Sequence, residues 1–190
     1  ILYHSRIVKM LLNEISSIVP ATEKTVFSVR GKLSDHYPIT LNVNEYGLVS
    51  LEGCPTIVDG NFNCSTNNLK TLKGGPKRVG MDLDCSDNQL STFEGFPESI
   101  GNYCWATQNN FTSLHNIHKH IKQVGGWIDF GNNKITSHVL GVLLIDGLRT
   151  IIIDNGKVDR IINKHLSGDR DVFACQEELI EAGLEDFAQL

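Results

Sequence analysis

Three groups of residues have types and spacings suited to chemistry. His115-x-x-His118-x-His120 gathers three imidazoles in one short segment and, with Cys104, offers nitrogen and sulfur donors of the kind that hold a divalent metal, although the spacing matches no common zinc signature. Cys85-Ser86-Asp87 sets a thiol, a candidate nucleophile, two residues from a carboxylate. Asp82, Asp84 and Asp129 could hold a cation through oxygen, against which stands the commoner solvated acidic strip. A fourth group suits recognition: Trp105, Trp127 and Tyr103 combine large contact area with a polar handle. No Gly-rich phosphate loop and no nucleophile elbow is present.

What must position these residues is an internal repeat. Asn67, Asn88 and Asn109 stand 21 residues apart, each followed two residues later by Leu69, Leu90 or Phe111 and five later by Leu72, Phe93 or Leu114. The shared pattern, L-x-C-x-x-N-x-L-x-x-L-x-G-x-P-x-x-V, is a leucine-rich repeat of short period. One period earlier, Leu41, Val43, Leu48, Leu51, Gly53, Pro55 and Val58 match, with Tyr46 in place of the asparagine. Onward from Cys104, Ile128-x-Phe130-x-x-Asn133-x-Ile135 follows after 24 residues, which places a three-residue insertion between Leu114 and Val124. A degenerate coil, Ile151-x-Ile153-x-x-Gly156-x-Val158-x-x-Ile161, comes last. The fold class predicted is an α/β solenoid of about six coils with short parallel strands.

Each coil places a strand at its L-x-C pair, because residues separated by one point to the same side of an extended chain. Asn67, Asn88, Asn109 and Asn133 then sit where the chain leaves the strand, forming a scaffold ladder whose amides pair backbone groups the turn would otherwise bury. Gly53/Pro55, Gly74/Pro76 and Gly95/Pro97 turn the far side without a long helix. Cys64 and Cys85 fall on inward positions as small hydrophobes, so Cys85 reads as core and not as a nucleophile.

Flanking the solenoid, residues 1–38 read as an N-terminal cap: an amphipathic helix to about Ile18, in which Met10 is a candidate start, then a strand over Thr25 to Val29. The solenoid proper occupies 39–165. Residues 166–190 read as a C-terminal helical cap, with Asp171 at its N-terminus, Val172, Cys175, Leu179 and Ala182 along it, and Gly183 at its end. Solenoids need such caps to cover their end coils.

A net charge of −5 argues against a nucleic-acid partner, whose phosphates demand a basic surface. Lys70, Lys73, Lys77 and Arg78 read as a solvated face. The five cysteines are an odd set without metal-site spacing or disulfide framework, which suits a reducing cytoplasm. No run is long enough to span a membrane, and no cofactor or metal is expected.

The repeats, with the segments IHKHI (Ile117 to Ile121), GGWIDFGNNKITSHVLGVLLIDGL (Gly125 to Leu148) and CQEELIEAGLEDFAQL (Cys175 to Leu190), resemble a group of small leucine-rich-repeat proteins of large tailed bacteriophages. The resemblance runs from about Lys24 to Leu190. It implies an accessory protein acting in the cytoplasm of the infected bacterial host, and it carries no activity. Cys-x-Asp is also the form found at the nucleophile of bacterial leucine-rich-repeat ubiquitin ligases, but no separate catalytic domain follows it here.

Residues flanking the inward pairs form outward columns across the coils. The central column reads Asn42, Asn63, Asp84, Trp105, Asp129, Ile152, and the one before it Thr40, Asn61, Asp82, Tyr103, Trp127, Thr150. Aromatics framed by acids on one sheet surface predict a protein partner with a basic, partly apolar surface. The expectation is therefore a non-catalytic interaction module that binds a host protein through Trp105, Trp127, Tyr103, Asp82, Asp84 and Asp129. The alternatives are a virion-associated or self-assembling structural protein, in which homo-oligomers form through the caps, and a module binding a metal or carbohydrate.

Overall fold

The computed structural model describes residues 24–26, 30 and 33–190; the helix expected before Ile18 lies outside them. Eleven short strands run through the described residues: β1 (His36–Tyr37), β2 (Leu41–Asn42), β3 (Ile57–Val58), β4 (Phe62–Asn63), β5 (Arg78–Val79), β6 (Leu83–Asp84), β7 (Ser99–Ile100), β8 (Cys104–Trp105), β9 (Gln123–Val124), β10 (Trp127–Asp129) and β11 (Thr150–Ile152). They form two parallel sheets, one in the order β2-β4-β6-β8-β10-β11 and the other β1-β3-β5-β7-β9. The chain is thus a parallel-strand β-solenoid of about six turns. Its register is that of the repeat, with Leu41, Phe62, Leu83, Cys104, Ile128 and Ile151 paired in succession.

The second sheet is a finding beyond the sequence expectation, which gave the far side only a turn. After Pro55, Pro76 and Pro97, and again after the insertion, the chain forms a two-residue strand that sends Val58, Val79, Ile100 or Val124 inward, all fully buried. At the corner between the sheets the turns meet backbone to backbone. A Cβ built on Gly101 would stand 1.9 Å from the Gly80 carbonyl oxygen, so only glycine lets this turn close on its neighbour.

One apolar core runs the length of the stack. Phe93, Phe111 and Phe130 fill its middle turns, with Phe93 and Phe111 stacked at 5.0 Å and Phe130 edge-on to Phe111 at 5.3 Å. Cys64, Cys85 and Cys104 are fully buried.

The asparagines bind one turn to the next. Asn67 Oδ1 accepts from Leu48 N at 2.8 Å, Asn88 from Leu69 N at 3.0 Å, Asn109 from Leu90 N at 2.9 Å and Asn133 from Phe111 N at 3.0 Å. Their Nδ2 groups donate to carbonyls of their own turn and of the turn before, as in Asn88 to Cys85 O at 3.2 Å and Cys64 O at 3.1 Å. The residue before each asparagine takes a left-handed φ: Thr66, Asp87, Gln108 and Asn132 at 52 to 58°.

The insertion after Leu114 is absorbed by one short helix, α1 (Ile117–His120), entered through Asn116 at φ 61°. A 3-10 helix, Leu140–Leu144, follows in the next turn. The last coil departs from expectation. Instead of continuing as a coil through Gly156 and Ile161, the chain enters helix α2 (Gly156–Ser167), capped by the Asn155 side chain, which accepts from Val158 N. Val158, Ile161, Ile162 and Leu166 are buried on one helical face, a period of 3.6 that prevails once Asn155 falls a residue short of the ladder position.

Helix α2 also closes the edge of the six-stranded sheet. Asn163 accepts from Ile151 N at 2.8 Å and donates to Ile151 O at 2.8 Å, while Asp159 accepts from Ile153 N at 3.0 Å. Side chains thereby take the bonds a further strand would make, which blunts an edge that would otherwise recruit another chain. Helix α3 (Val172–Glu181) starts at Asp171, whose carboxylate accepts from Phe173 N and Ala174 N, and Gly183 beyond it has φ 70°. At the other end, Thr25 forms a parallel bridge with Ser50 and Val26 is helical and buried; the remainder of the strand expected over Thr25 to Val29 lies outside the described residues. No described helix is long and apolar enough to cross a membrane.

Candidate functional site

The six-stranded sheet brings the acids and aromatics onto one open face. The register sets Asn42, Asn63, Asp84, Trp105, Asp129 and Ile152 in a row. Trp127, one residue before the Ile128–Cys104 pair, stands beside Tyr103.

There the rings pack on one another. Tyr103 and Trp127 stack at 4.9 Å with planes 25° apart, and Trp105 stands nearly perpendicular to Trp127, at 87° and 4.9 Å. Tyr103 meets Trp105 at 6.0 Å and 69°. Tyr103 is 39% exposed and both tryptophans are half-buried, so neither the insertion nor helices at the C-terminal end cover the trio. Gly126 makes room for it, since a Cβ there would lie 2.5 Å from Tyr103 Cε1.

The acids of the face have structural bonds as well. Asp84 Oδ1 accepts from Ser86 N at 3.0 Å and Ser86 Oγ at 2.6 Å, and Asp129 Oδ1 accepts from Gly131 N at 2.7 Å. Asn63 makes the same two bonds to Ser65, at 2.9 and 2.8 Å, and Asn42 the first of them to Asn44 N. At four of its six positions the central column therefore holds a side-chain turn at the strand end, in which a carboxylate and an amide are interchangeable acceptors. Asp82 bonds across turns, accepting from Tyr103 N at 3.4 Å. This turn column was legible in hindsight, as an Asn or Asp at the centre of most coils.

The other candidate groups are dispersed or buried. Cys85 is fully buried, and burial pushes its thiol well above the usual range, as it does for Cys64; burial also raises Cys54 to about 12. His115 Nδ1 lies 2.9 Å from Leu190 O, and its ring meets His138 at 4.8 Å. His118 Nδ1 is turned toward Gly141, and burial, then Lys119, Lys122 and His115, lower its pKa. Cys104 points into the core from β8. Among the described residues no three His, Cys, Asp or Glu groups are placed to hold a metal ion. Lys70, Lys73, Lys77 and Arg78 are exposed, with Lys73 3.5 Å from Glu94 and Arg78 4.0 Å from Asp59.

A recess of about 210 Å³ is lined by Asn109, Asn110, Thr112, Asn132 and Lys134. Comparison with protein-family models, with curated proteins and with solved structures found no match.

Proposed function

We propose that this chain is a leucine-rich-repeat interaction module, non-catalytic, that holds a protein partner against its six-stranded face. The observation that carries the reading is the packed trio of Tyr103, Trp105 and Trp127, left open to solvent beside Asp82, Asp84 and Asp129. Aromatic residues fixed by their neighbours lose little entropy on binding and contribute large contact area. The acids favour a basic, partly apolar surface opposite them.

In this reading the N-terminal segment and helices α2 and α3 are the caps of the stack. The resemblance to bacteriophage proteins supports a site of action in the cytoplasm of an infected bacterium, on a host protein, with a defence component as one class of target. The test is a pull-down from phage-infected host lysate with the wild-type chain and a Trp105→Ala/Trp127→Ala variant, whose folding is checked by far-UV circular dichroism. A stoichiometric partner held by the wild type and lost by the folded variant supports the reading. Retention of every partner by the variant refutes it.

A further inference from the structure

We propose that the seat at Trp105 takes an arginine guanidinium of the partner in preference to a lysine ammonium. This inference rests on the reading of the six-stranded face as the binding surface and names the group it selects. Three observations support it. The strand segments 40–44, 61–65, 82–86, 103–107, 127–131 and 150–154 contain four aspartates (Asp82, Asp84, Asp129 and Asp154) and not one Lys or Arg, so these segments supply no cation of their own to neutralise them.

Second, the register places Trp105 between Asp84 on one neighbouring strand and Asp129 on the other, each about 4.8 Å away across the sheet. One oxygen of each carboxylate is held by its turn, Asp84 by Ser86 and Asp129 by Gly131. The second oxygen has no hydrogen bond among the described residues. These acids are thus fixed in direction and still able to accept. Third, Trp105 stands at 87° to Trp127 and 69° to Tyr103, so its plane crosses that of the stacked pair and the trio forms a corner rather than a flat patch.

A planar, weakly hydrated cation suits this arrangement. Guanidinium stacks on an indole face while its N–H donors, which lie in its own plane, reach carboxylates to either side. An ammonium is compact and strongly hydrated, and has no plane to stack. The Tyr103–Trp127 pair, in ring contact at 4.9 Å, leaves no slot between its own rings, which directs the cation to the Trp105 side.

The test uses the full chain labelled with nitrogen-15, titrated with N-acetyl-argininamide, N-acetyl-lysinamide and N-acetyl-citrullinamide while the two indole N–H resonances are followed. The arginine probe is expected to shift the Trp105 resonance and to bind roughly two- to fivefold more tightly than the lysine probe, the span of an exposed cation–π contact; the uncharged citrulline probe shifts nothing. Asp84→Asn and Asp129→Asn should each weaken the arginine probe by up to about fivefold. Both should leave the fold intact, because Asn42 and Asn63 already make that turn with an amide. Equal binding of arginine and lysine, arginine binding undiminished in the Asn variants, or no arginine shift at Trp105 would overturn the proposal. Failure here leaves the pull-down free to succeed, whereas a partner indifferent to both tryptophans would remove the face itself.

Discussion

Replacing Asn88 by alanine tests the ladder at its centre. Asn88 is 9% exposed; its Oδ1 accepts from Leu69 N at 3.0 Å, and its Nδ2 donates to Cys64 O at 3.1 Å and Cys85 O at 3.2 Å. The carbonyls are each served twice, since Asn67 also donates to Cys64 O and Asn109 to Cys85 O. Alanine therefore leaves those oxygens one donor each, at roughly 0.5 kcal/mol apiece, but it strips Leu69 N–H of its partner. A buried orphaned donor costs about 1 to 3 kcal/mol, so the total is about 2 to 4 kcal/mol out of the roughly 5 to 15 kcal/mol that holds a domain folded.

Urea unfolding followed by circular dichroism measures the loss, with the exposed neighbour Asn110→Ala as control. Hydrogen exchange at the Leu69 amide locates it. Asn88→Asp should be worse than alanine near neutral pH, because a carboxylate keeps the acceptor for Leu69 N–H but faces two carbonyl oxygens with no proton to give. Acid should partly rescue it by protonating that carboxyl. An alanine variant no less stable than the Asn110 control, with Leu69 still protected, would refute the ladder energetics.

Asn163→Ala should unpair both backbone groups of Ile151, which is 2% exposed, costing about 2 to 5 kcal/mol; the bared sheet edge should also promote association measurable by light scattering. A loss matched by the exposed control Arg160→Ala would count against the edge-closing role. Asp159→Asn is expected to stabilise the protein slightly, by a few tenths of a kcal/mol, while keeping an acceptor for Ile153 N. Burial raises the Asp159 pKa above its ordinary 3.8, with Asp154 and Asp129 adding to the rise against the backbone bonds that lower it. A carboxyl raised on folding favours the folded state fully below its unfolded pKa and loses that contribution as pH rises through its folded pKa. The gain of the Asn variant in thermal melts should therefore be seen at neutral pH and shrink toward pH 3, and a gain that grows with acid would contradict it.

Much of the scaffold was legible because a solenoid asks the same of each turn. An inward Leu-x-Cys pair and an asparagine at one spacing have one arrangement that pairs every buried amide, and the strand register follows that period. Arg78, Ser99 and Gln123 share no chemistry, so the outward positions of the second sheet repeat nothing and its two-residue strands went unread beside a visible Val/Ile column. Helix α2 was masked for the opposite reason: Ile151-x-Ile153 continues the strand pattern so well that the helical period beginning at Val158 read as one more coil. In sequence the central acids read as a binding frame, whereas their bonds to Ser86 and Gly131 as turn formers depend on the backbone geometry at the strand ends.

The sequence by itself determined which side chains face inward, where the turns link, and that Tyr103, Trp105 and Trp127 share a surface, because alternation along a strand and a fixed repeat leave those no freedom. Only the tertiary structure decided how the three rings meet. They come from successive turns separated by the insertion at α1, and the angle between them depends on how that longer turn closes and on the space left over Gly126, which no local pattern specifies.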